Sequence, residues 1–235
     1  MVEAVLNIQQ LCSGYGQATV IRDLNLAINR GEIVAVVGKN GMGKSTLLKS
    51  IMGYLPAFSG NIMLMGRTVA NTAPHRIARL GVAYVPQEKA VFQDLSVEEN
   101  IRLALRKPLT LADAKAVIAR CFPFLLDRMR QRAGTLSGGE QKMLLVARAL
   151  AVGAEMLLVD EITEGLQPSV IESLVKVIKS EREHSGTSVL LVEQNIAFTC
   201  AVSDRYILLD KGEIAGVGET SDPDTPMRVT AHLTL

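Results

Sequence analysis

The feature that most constrains the fold of this chain is a glycine-rich stretch between an apolar run and a helix-like segment. The run at 33–37 (IVAVV) has the length of a strand buried on both faces, as in a parallel sheet covered by helices. Residues 45–52 after the stretch predict a helix that ends at Gly53. The stretch fits G-x-x-x-x-G-K-[ST] and comprises Gly38, Lys39, Asn40, Gly41, Met42, Gly43, Lys44 and Ser45. The order of strand, loop and helix predicts a phosphate-binding loop.

The chemistry of this loop follows from its residue types. Glycines let the backbone wrap closely around an anion, with N–H groups pointing inward and the positive end of the next helix behind them. In such a loop Lys44 bridges the β- and γ-phosphates of a nucleotide and Ser45 ligates Mg²⁺. A chance glycine turn is the alternative, but it does not account for the strand before the loop and the helix after it.

A second apolar run ends in two carboxylates. Residues 156–159 (MLLV) predict a buried strand, and Asp160 and Glu161 follow directly. Ligands of open α/β sheets sit at the carboxyl ends of the strands. Asp160 is therefore placed to join the Mg²⁺ shell, and Glu161 to activate the attacking water as a general base. Many buried strands end in acidic residues, so this pattern is informative only together with the glycine loop.

A third motif, LSGGEQ at 136–141, precedes a predicted helix at 140–151. Ser137 and two glycines before a helix form a second anion-binding helix start. An ordinary capped helix would explain Ser137 but not both glycines. With the other two motifs present, the sequence resembles ABC-type ATPases, and the resemblance spans nearly the whole chain. It implies an α/β fold with a P-loop ATPase core, an antiparallel β subdomain and a helical insertion.

The resemblance also implies a sandwich dimer in which the signature loop of one subunit closes on ATP held by the other. Gln87 then links Mg²⁺ and the attacking water to the helical subdomain, and Ser45, Gln87 and Asp160 hold the metal. Glu161, Gln87 and Gln194 become the catalytic candidates. The residues implied to bind ATP are Tyr15, which would stack on adenine, Gly38, Lys39, Asn40, Gly41, Met42, Gly43, Lys44, Ser45, Thr46, Ser137, Gly138, Gly139 and Glu140.

The domain organisation follows from where strand and helix patterns change. We expect one domain over 1–235, with a nucleotide-binding α/β core at 1–90 and 152–221. Residues 91–151 show helical patterns only and form the predicted helical subdomain, the part that contacts a permease in the family it resembles. A helix is expected at 115–126 and a hairpin at 206–217. Residues 222–235, rich in Thr and Pro, are expected to be a loosely held tail.

Three positions depart from the general family pattern. Ile162 stands where a proline usually follows the paired carboxylates, Gln167 replaces an aspartate, and Gln194 replaces a switch histidine. An amide can donate to a phosphate oxygen but cannot titrate. Gln194 and residues 132–141 resemble the smaller ATPase of importers for branched-chain amino acids and amides. Residues 163–169 (TEGLQPS) look closest to the urea and short-chain-amide branch.

This importer resemblance implies specific partners and a place in the cell. The partners are two transmembrane permeases, a solute-binding protein and a second ATPase, with a heterodimer expected and a homodimer possible. The resemblance implies a peripheral protein on the cytoplasmic face of the inner membrane. The sequence shows neither the pattern of a signal peptide nor a run of the ~20 apolar residues that a membrane span needs, which predicts a soluble or peripheral protein.

Composition limits the alternatives. A net charge of +1 gives no broad basic face, so no nucleic-acid partner is expected. The three cysteines lie far apart without a CxxC pair, which indicates reduced thiols rather than a zinc site or a disulfide framework. An ABC ATPase of a soluble assembly machine, of the iron–sulfur scaffold type, would share every nucleotide motif. A small-molecule kinase has no use for residues 136–140, and a chromosome ATPase would carry long heptad repeats.

Overall fold

The computed structural model describes residues 4–87 and 91–234, and within them the strands form two sheets. The strands are Ala4–Tyr15 (β1), Ala18–Asn29 (β2), Ile33–Val37 (β3), Ala57–Leu64 (β4), Arg67–Thr68 (β5), Val82–Val85 (β6), Met156–Asp160 (β7), Ser188–Glu193 (β8), Arg205–Asp210 (β9) and Glu213–Glu219 (β10). The helices are Lys44–Ile51 (α1), Pro74–Arg79 (α2), Val97–Ala104 (α3), Leu111–Cys121 (α4), Phe124–Asp127 (α5), Gly138–Leu150 (α6), Pro168–Ser185 (α7), Ile196–Val202 (α8) and Thr225–Thr234 (α9).

The larger sheet has the strand order β10-β9-β3-β8-β7-β6, in which only β10 is antiparallel to its neighbour. β9 and β10 form the predicted hairpin around Lys211 and Gly212. The smaller sheet is antiparallel, in the order β2-β1-β4-β5. Leu24, Leu26 and Ile28, whose alternation predicts a half-buried strand, are all buried in β2. The predicted fold class, an α/β core with an antiparallel β sheet, is confirmed.

The larger sheet is buried on both faces, and the side chains of β3 pack into a different core cluster on each face. Ile33, Ala35 and Val37 belong to a core cluster shared with α3, α4, α6 and α7. Val34 and Val36, which point the other way along the pleat, belong to a second cluster shared with α1 and the antiparallel sheet. This double burial explains why the run has no polar alternation. It also holds the carboxyl end of β3, where the glycine loop starts, between two packed layers.

The patterns S-x-x-E at 96–99 and T-x-x-D at 110–113 predict helix starts, and α3 and α4 begin directly after Ser96 and Thr110. Ser96 and Glu99 form a reciprocal capping box at α3, and Thr110 and Asp113 form another at α4. The prediction of a single helix at 115–126 is wrong, because α4 ends at Cys121 and α5 begins only at Phe124. Pro123 is the physical reason, since a proline pushes the residue before it out of the helical region and has no N–H to donate.

The carboxyl end of the chain is not a loosely held tail, contrary to expectation. Residues 225–234 form α9, and Val229 is fully buried in the cluster that covers one face of the larger sheet. Thr225 is also fully buried and donates from Oγ1 to the carbonyl of Glu219 at 2.7 Å. Composition misled here because a proline in the first turn, Pro226, is compatible with a helix.

Across residues 4–87 and 91–234, none of the helices combines the length and the hydropathy that crossing a bilayer requires.

Candidate active site

The glycine loop leads from β3 into α1 through two left-handed residues. Gly41 has a φ of 83° and Gly43 a φ of 102°, conformations that residues with a side chain rarely adopt. A Cβ added at Gly43 would also lie 3.0 Å from Cδ1 of Ile21. The turn therefore requires glycine at these positions. The turn leaves the first N–H groups of α1 at the loop, where an anion can accept hydrogen bonds from them.

Lys44, the first residue of α1, directs its ammonium back into the loop. Its Nζ donates to the carbonyls of Gly38 at 2.7 Å and Lys39 at 3.0 Å. It also forms an ion pair with Oε1 of Glu161 at 2.9 Å, and both side chains are more than nine-tenths buried. The ammonium is thus held among oxygen acceptors at the point where the motif predicts phosphate oxygens.

A polar cavity of about 430 Å³ opens beside this loop and brings together most of the predicted ATP-binding residues. It is lined by Tyr15, Val20, Asn40, Gly41, Gly43, Lys44, Ser45, Thr46, Gln87 and Glu161. Tyr15 lies at the end of β1, and 48 % of its surface is exposed. The lining thus supplies an aromatic ring and an ammonium, groups that suit the base and the phosphates of a nucleoside triphosphate.

Asp160 ends β7 beside Ser45 and is almost fully buried. Ser45 Oγ donates to Oδ1 of Asp160 at 2.9 Å, and Tyr84 Oη donates to Oδ2 at 2.9 Å. Burial raises the pKa of Asp160, and these two hydrogen bonds act in the opposite direction. Hydroxyl and carboxylate oxygens are the ligands that Mg²⁺ prefers, so the donor set fits the predicted metal. Gln87 lines a cavity of about 380 Å³ together with Ser45 and Asp160.

Glu161 follows in a left-handed conformation, with a φ of 42°, that turns the chain sharply at the end of β7. Its carboxylate lies in a cluster of donors that differ from those of Asp160. Gln87 Nε2 donates to Oε2 at 3.0 Å, and Gln194 Nε2 donates to Oε1 at 3.1 Å. With Lys44, these two amides hold Glu161 in one orientation. The three residues predicted to be catalytic are thus in direct contact.

Gln194, expected from the family resemblance to stand in place of a switch histidine, contacts residues that follow two other strands. It follows β8 directly, and its Nε2 also donates to Oδ1 of Asn40 in the glycine loop at 2.7 Å. One amide therefore contacts both the phosphate loop and the predicted base. Substitution of glutamine for histidine preserves a hydrogen-bond donor at this position but removes the titratable group.

The signature residues lie elsewhere and do not line the cavity that holds Lys44 and Tyr15. Ser137 caps α6, with its Oγ accepting from Glu140 N at 3.3 Å while Glu140 Oε2 accepts from Ser137 N at 2.9 Å. Arg128 pairs with Glu140 at 2.6 Å. Ser137 and Gly138 are exposed, and a Cβ at Gly138 would meet nothing within 4 Å. This segment presents its helix start to the surface.

Four polar residues of the site were not predicted from the sequence. Tyr84 contacts Asp160, and Glu164 accepts from Gln87 at 2.9 Å. Lys142, on α6, donates to the carbonyls of Ile162 and Glu164, and burial lowers its pKa.

The fourth residue, Glu193, is buried at the end of β8, where burial raises its pKa. It accepts hydrogen bonds from the backbone N–H and the hydroxyl of Thr163. Tyr84 lies three residues before Gln87, which gave a reason to consider it, but its contact with Asp160 on another strand leaves no local signal.

Comparison with known proteins identifies the family. The sequence model described as ABC transporter matches residues 21–164, which is more than half of the chain. The probable branched-chain amino acid transport ATP-binding protein LivF of Archaeoglobus fulgidus is 38% identical over 220 residues, 93% of each chain. The high-affinity branched-chain amino acid transport ATP-binding protein BraG of Pseudomonas aeruginosa is 38% identical, covering 89% of this chain and 91% of BraG. The lipopolysaccharide export system ATP-binding protein LptB of Escherichia coli K12 is 31% identical, covering 93% and 92%.

Solved structures show the same fold. A nucleotide-free ATP-binding cassette from an ABC transporter superposes with a TM-score of 0.86 at 20% identity, covering 97% of this chain and 96% of that one. The ADP conformation of another ABC transporter cassette gives a TM-score of 0.82 at 20% identity, covering 97% and 99%. The fold, the nucleotide motifs and the relatives agree: this chain belongs to the ABC transporter family and is an ATPase whose hydrolysis of ATP is coupled to transport.

Proposed function

We propose that this chain is the ATP-binding and hydrolysing subunit of an importer for branched-chain amino acids or for urea and short-chain amides. The observation that carries the catalytic part is the cluster in which Lys44, Gln87 and Gln194 all contact Glu161 beside the glycine loop. The importer class is supported by the two 38% identical relatives, which are named for branched-chain amino acid transport. The sequence at 163–169 resembles that of the urea and short-chain-amide importers, which supports that branch.

In this proposal the nucleotide changes the partners of Lys44. Its ammonium, paired with Glu161 in the structure, bonds instead to the β- and γ-phosphate oxygens, and the carboxylate of Glu161 becomes free to accept a proton from the attacking water. Gln194 and Gln87 orient that water and Glu161 through their amides. Ser45, Asp160 and Gln87 would hold Mg²⁺, which when bound would neutralise part of the phosphate charge.

The remaining predicted residues act on the nucleotide of a partner subunit. Ser137, Gly138, Gly139 and Glu140 present an exposed helix start whose N–H groups suit an anion. We infer that they complete the site of a second ATPase, a different chain in the heterodimer that we favour. Two permeases contact the helical subdomain at 91–151, and a solute-binding protein completes the system. The subunit is then peripheral on the cytoplasmic face of the membrane.

Co-purification from native membranes tests this assignment. A tagged chain, extracted in mild detergent and analysed by mass spectrometry, is expected to retain two hydrophobic permeases and a second ATPase. The associated binding protein is then titrated with leucine, urea and short amides to identify the solute. A tagged chain stripped from the membrane by alkaline washing serves as the control for partners that bind after lysis.

Two other outcomes contradict the importer. Permeases of a lipid export system would assign the chain to the activity for which its 31% identical relative is named. Soluble scaffold proteins without a permease would assign it to an iron–sulfur assembly machine. In both cases the nucleotide chemistry around Glu161 is unchanged.

The pH profile of hydrolysis is expected to lack a histidine step. Because Gln194 cannot titrate, the rate from pH 5.5 to 8.5 should show no inflection near ~6.5, the usual pKa of histidine. The Gln194→His variant is the matched control, and its profile should acquire that inflection. A wild-type rate that follows a pKa near ~6.5 would contradict this expectation.

A further inference from the structure

Tyr84 is a half-buried residue of the nucleotide site whose hydroxyl has no part in the catalytic cluster around Glu161. It lies on β6, next to β7 in the parallel sheet, and precedes Gln87 by three residues. The end of β6 therefore supplies one polar partner to each of the paired carboxylates. Gln87 bonds to Glu161, and the phenol of Tyr84 donates to Oδ2 of Asp160 at 2.9 Å.

The two hydrogen bonds to Asp160 are accepted by different oxygens of its carboxylate. Oδ2 accepts from Tyr84, whereas Oδ1 accepts from Ser45, the hydroxyl of the phosphate loop. The terminal torsion of a free carboxylate has a broad distribution of angles. A hydrogen bond to one of its oxygens restricts that rotation. Oδ1 is therefore kept on the side of Ser45 and the nucleotide cavity.

We propose that Tyr84 is a positioning residue for the metal site: its hydroxyl fixes the carboxylate of Asp160 so that Oδ1, with Ser45, faces the metal that accompanies the nucleotide. This inference rests on the proposed role of Asp160 in holding Mg²⁺. It assigns the function to the hydroxyl alone. The ring of Tyr84 packs near that of Tyr54, with centroids 6.1 Å apart, and a phenylalanine can keep that contact.

Metal affinity tests the proposal directly. Mn²⁺, used as a paramagnetic substitute for Mg²⁺, is titrated by electron paramagnetic resonance into the full chain loaded with ADP. Tyr84→Phe is expected to weaken Mn²⁺ binding about tenfold, the effect of losing a hydrogen bond to a charged group. ADP affinity in EDTA should stay within twofold of wild type. Tyr54→Phe, which removes the neighbouring phenol, should change neither value, and thermal unfolding confirms that both variants are folded.

The outcomes separate this inference from the proposal on which it rests. If Asp160→Asn abolishes Mn²⁺ binding and Tyr84→Phe binds Mn²⁺ like wild type, Asp160 keeps its role and the inference about Tyr84 is wrong. If Asp160→Asn binds Mn²⁺ like wild type, the metal role of Asp160 and the inference about Tyr84 both fail. Equal losses of ADP affinity with and without metal in Tyr84→Phe would indicate a merely structural effect and overturn the proposal.

A second measurement observes Tyr84 in the wild-type sequence, so it does not depend on the folding of a variant at position 84. The chain has four tyrosines, so uniform labelling with 3-fluorotyrosine gives four ¹⁹F resonances. Adding Mg²⁺ to the ADP-loaded chain is expected to shift the resonance of Tyr84 while leaving that of Tyr54 in place. An unchanged Tyr84 resonance at saturating Mg²⁺ would contradict the proposal.

Discussion

Glu161→Gln is expected to bind ATP and to hydrolyse it about a thousandfold more slowly than wild type, as loss of a general base predicts. The amide has the size of the carboxylate, and its single oxygen can still accept from Lys44 and Gln194. It cannot accept the proton of the attacking water. ATP should therefore remain bound after free nucleotide is removed, and the closed dimer should accumulate. Single-turnover hydrolysis and retained ATP measure the two effects.

Glu164→Gln is the matched control for this experiment. Glu164 also accepts a hydrogen bond from Gln87, at 2.9 Å, but it is exposed and makes no ion pair with Lys44. Its variant should hydrolyse ATP at close to the wild-type rate. Turnover near wild type in Glu161→Gln would remove Glu161 from the role of base, and an equal loss in both variants would assign the effect to the position of Gln87.

Arg120→Met is expected to lower the free energy of unfolding by about 3 kcal/mol. Arg120 on α4 pairs with Glu181 on α7 at 2.6 Å, and only 7% of the Glu181 side chain is exposed. Removing the guanidinium leaves a buried carboxylate without its ion-pair partner. Arg120 itself is 30% exposed, which places the effect at the lower end of the range for buried pairs. Urea denaturation followed by circular dichroism measures the change.

Two further variants show whether the effect belongs to the ion pair. The double variant Arg120→Met with Glu181→Met removes the unpaired charge and should recover most of the lost stability. Arg102→Met removes the exposed partner of Glu98, and its unfolding midpoint should match that of wild type. A loss in the double variant as large as in Arg120→Met would show that packing of the arginine stem, rather than charge, stabilises the contact between α4 and α7.

Local patterns predicted the parts of the fold that depend on near neighbours. The capping boxes at Ser96 and Thr110 join residues three apart, and the hairpin at Lys211 and Gly212 is a turn between adjacent strands. The failures had a different origin. The expected helix at 115–126 is interrupted at Pro123, and the expected tail at 222–235 contains a helix that begins around Pro226. Proline is unfavourable inside a helix but compatible with its first turn, so composition alone does not separate the two cases.

The sequence by itself determined the phosphate loop, the paired carboxylates and the signature, since each is a contiguous motif whose chemistry lies in consecutive backbone and side-chain groups. Only the tertiary structure decided which of them meet. Glu161 touches Lys44, Gln87 and Gln194, and Asp160 touches Tyr84, across the strand order β3-β8-β7-β6. That order depends on the burial of both sheet faces by distant parts of the chain. No local pattern therefore encodes that a phenol on β6 reaches the carboxylate that ends β7.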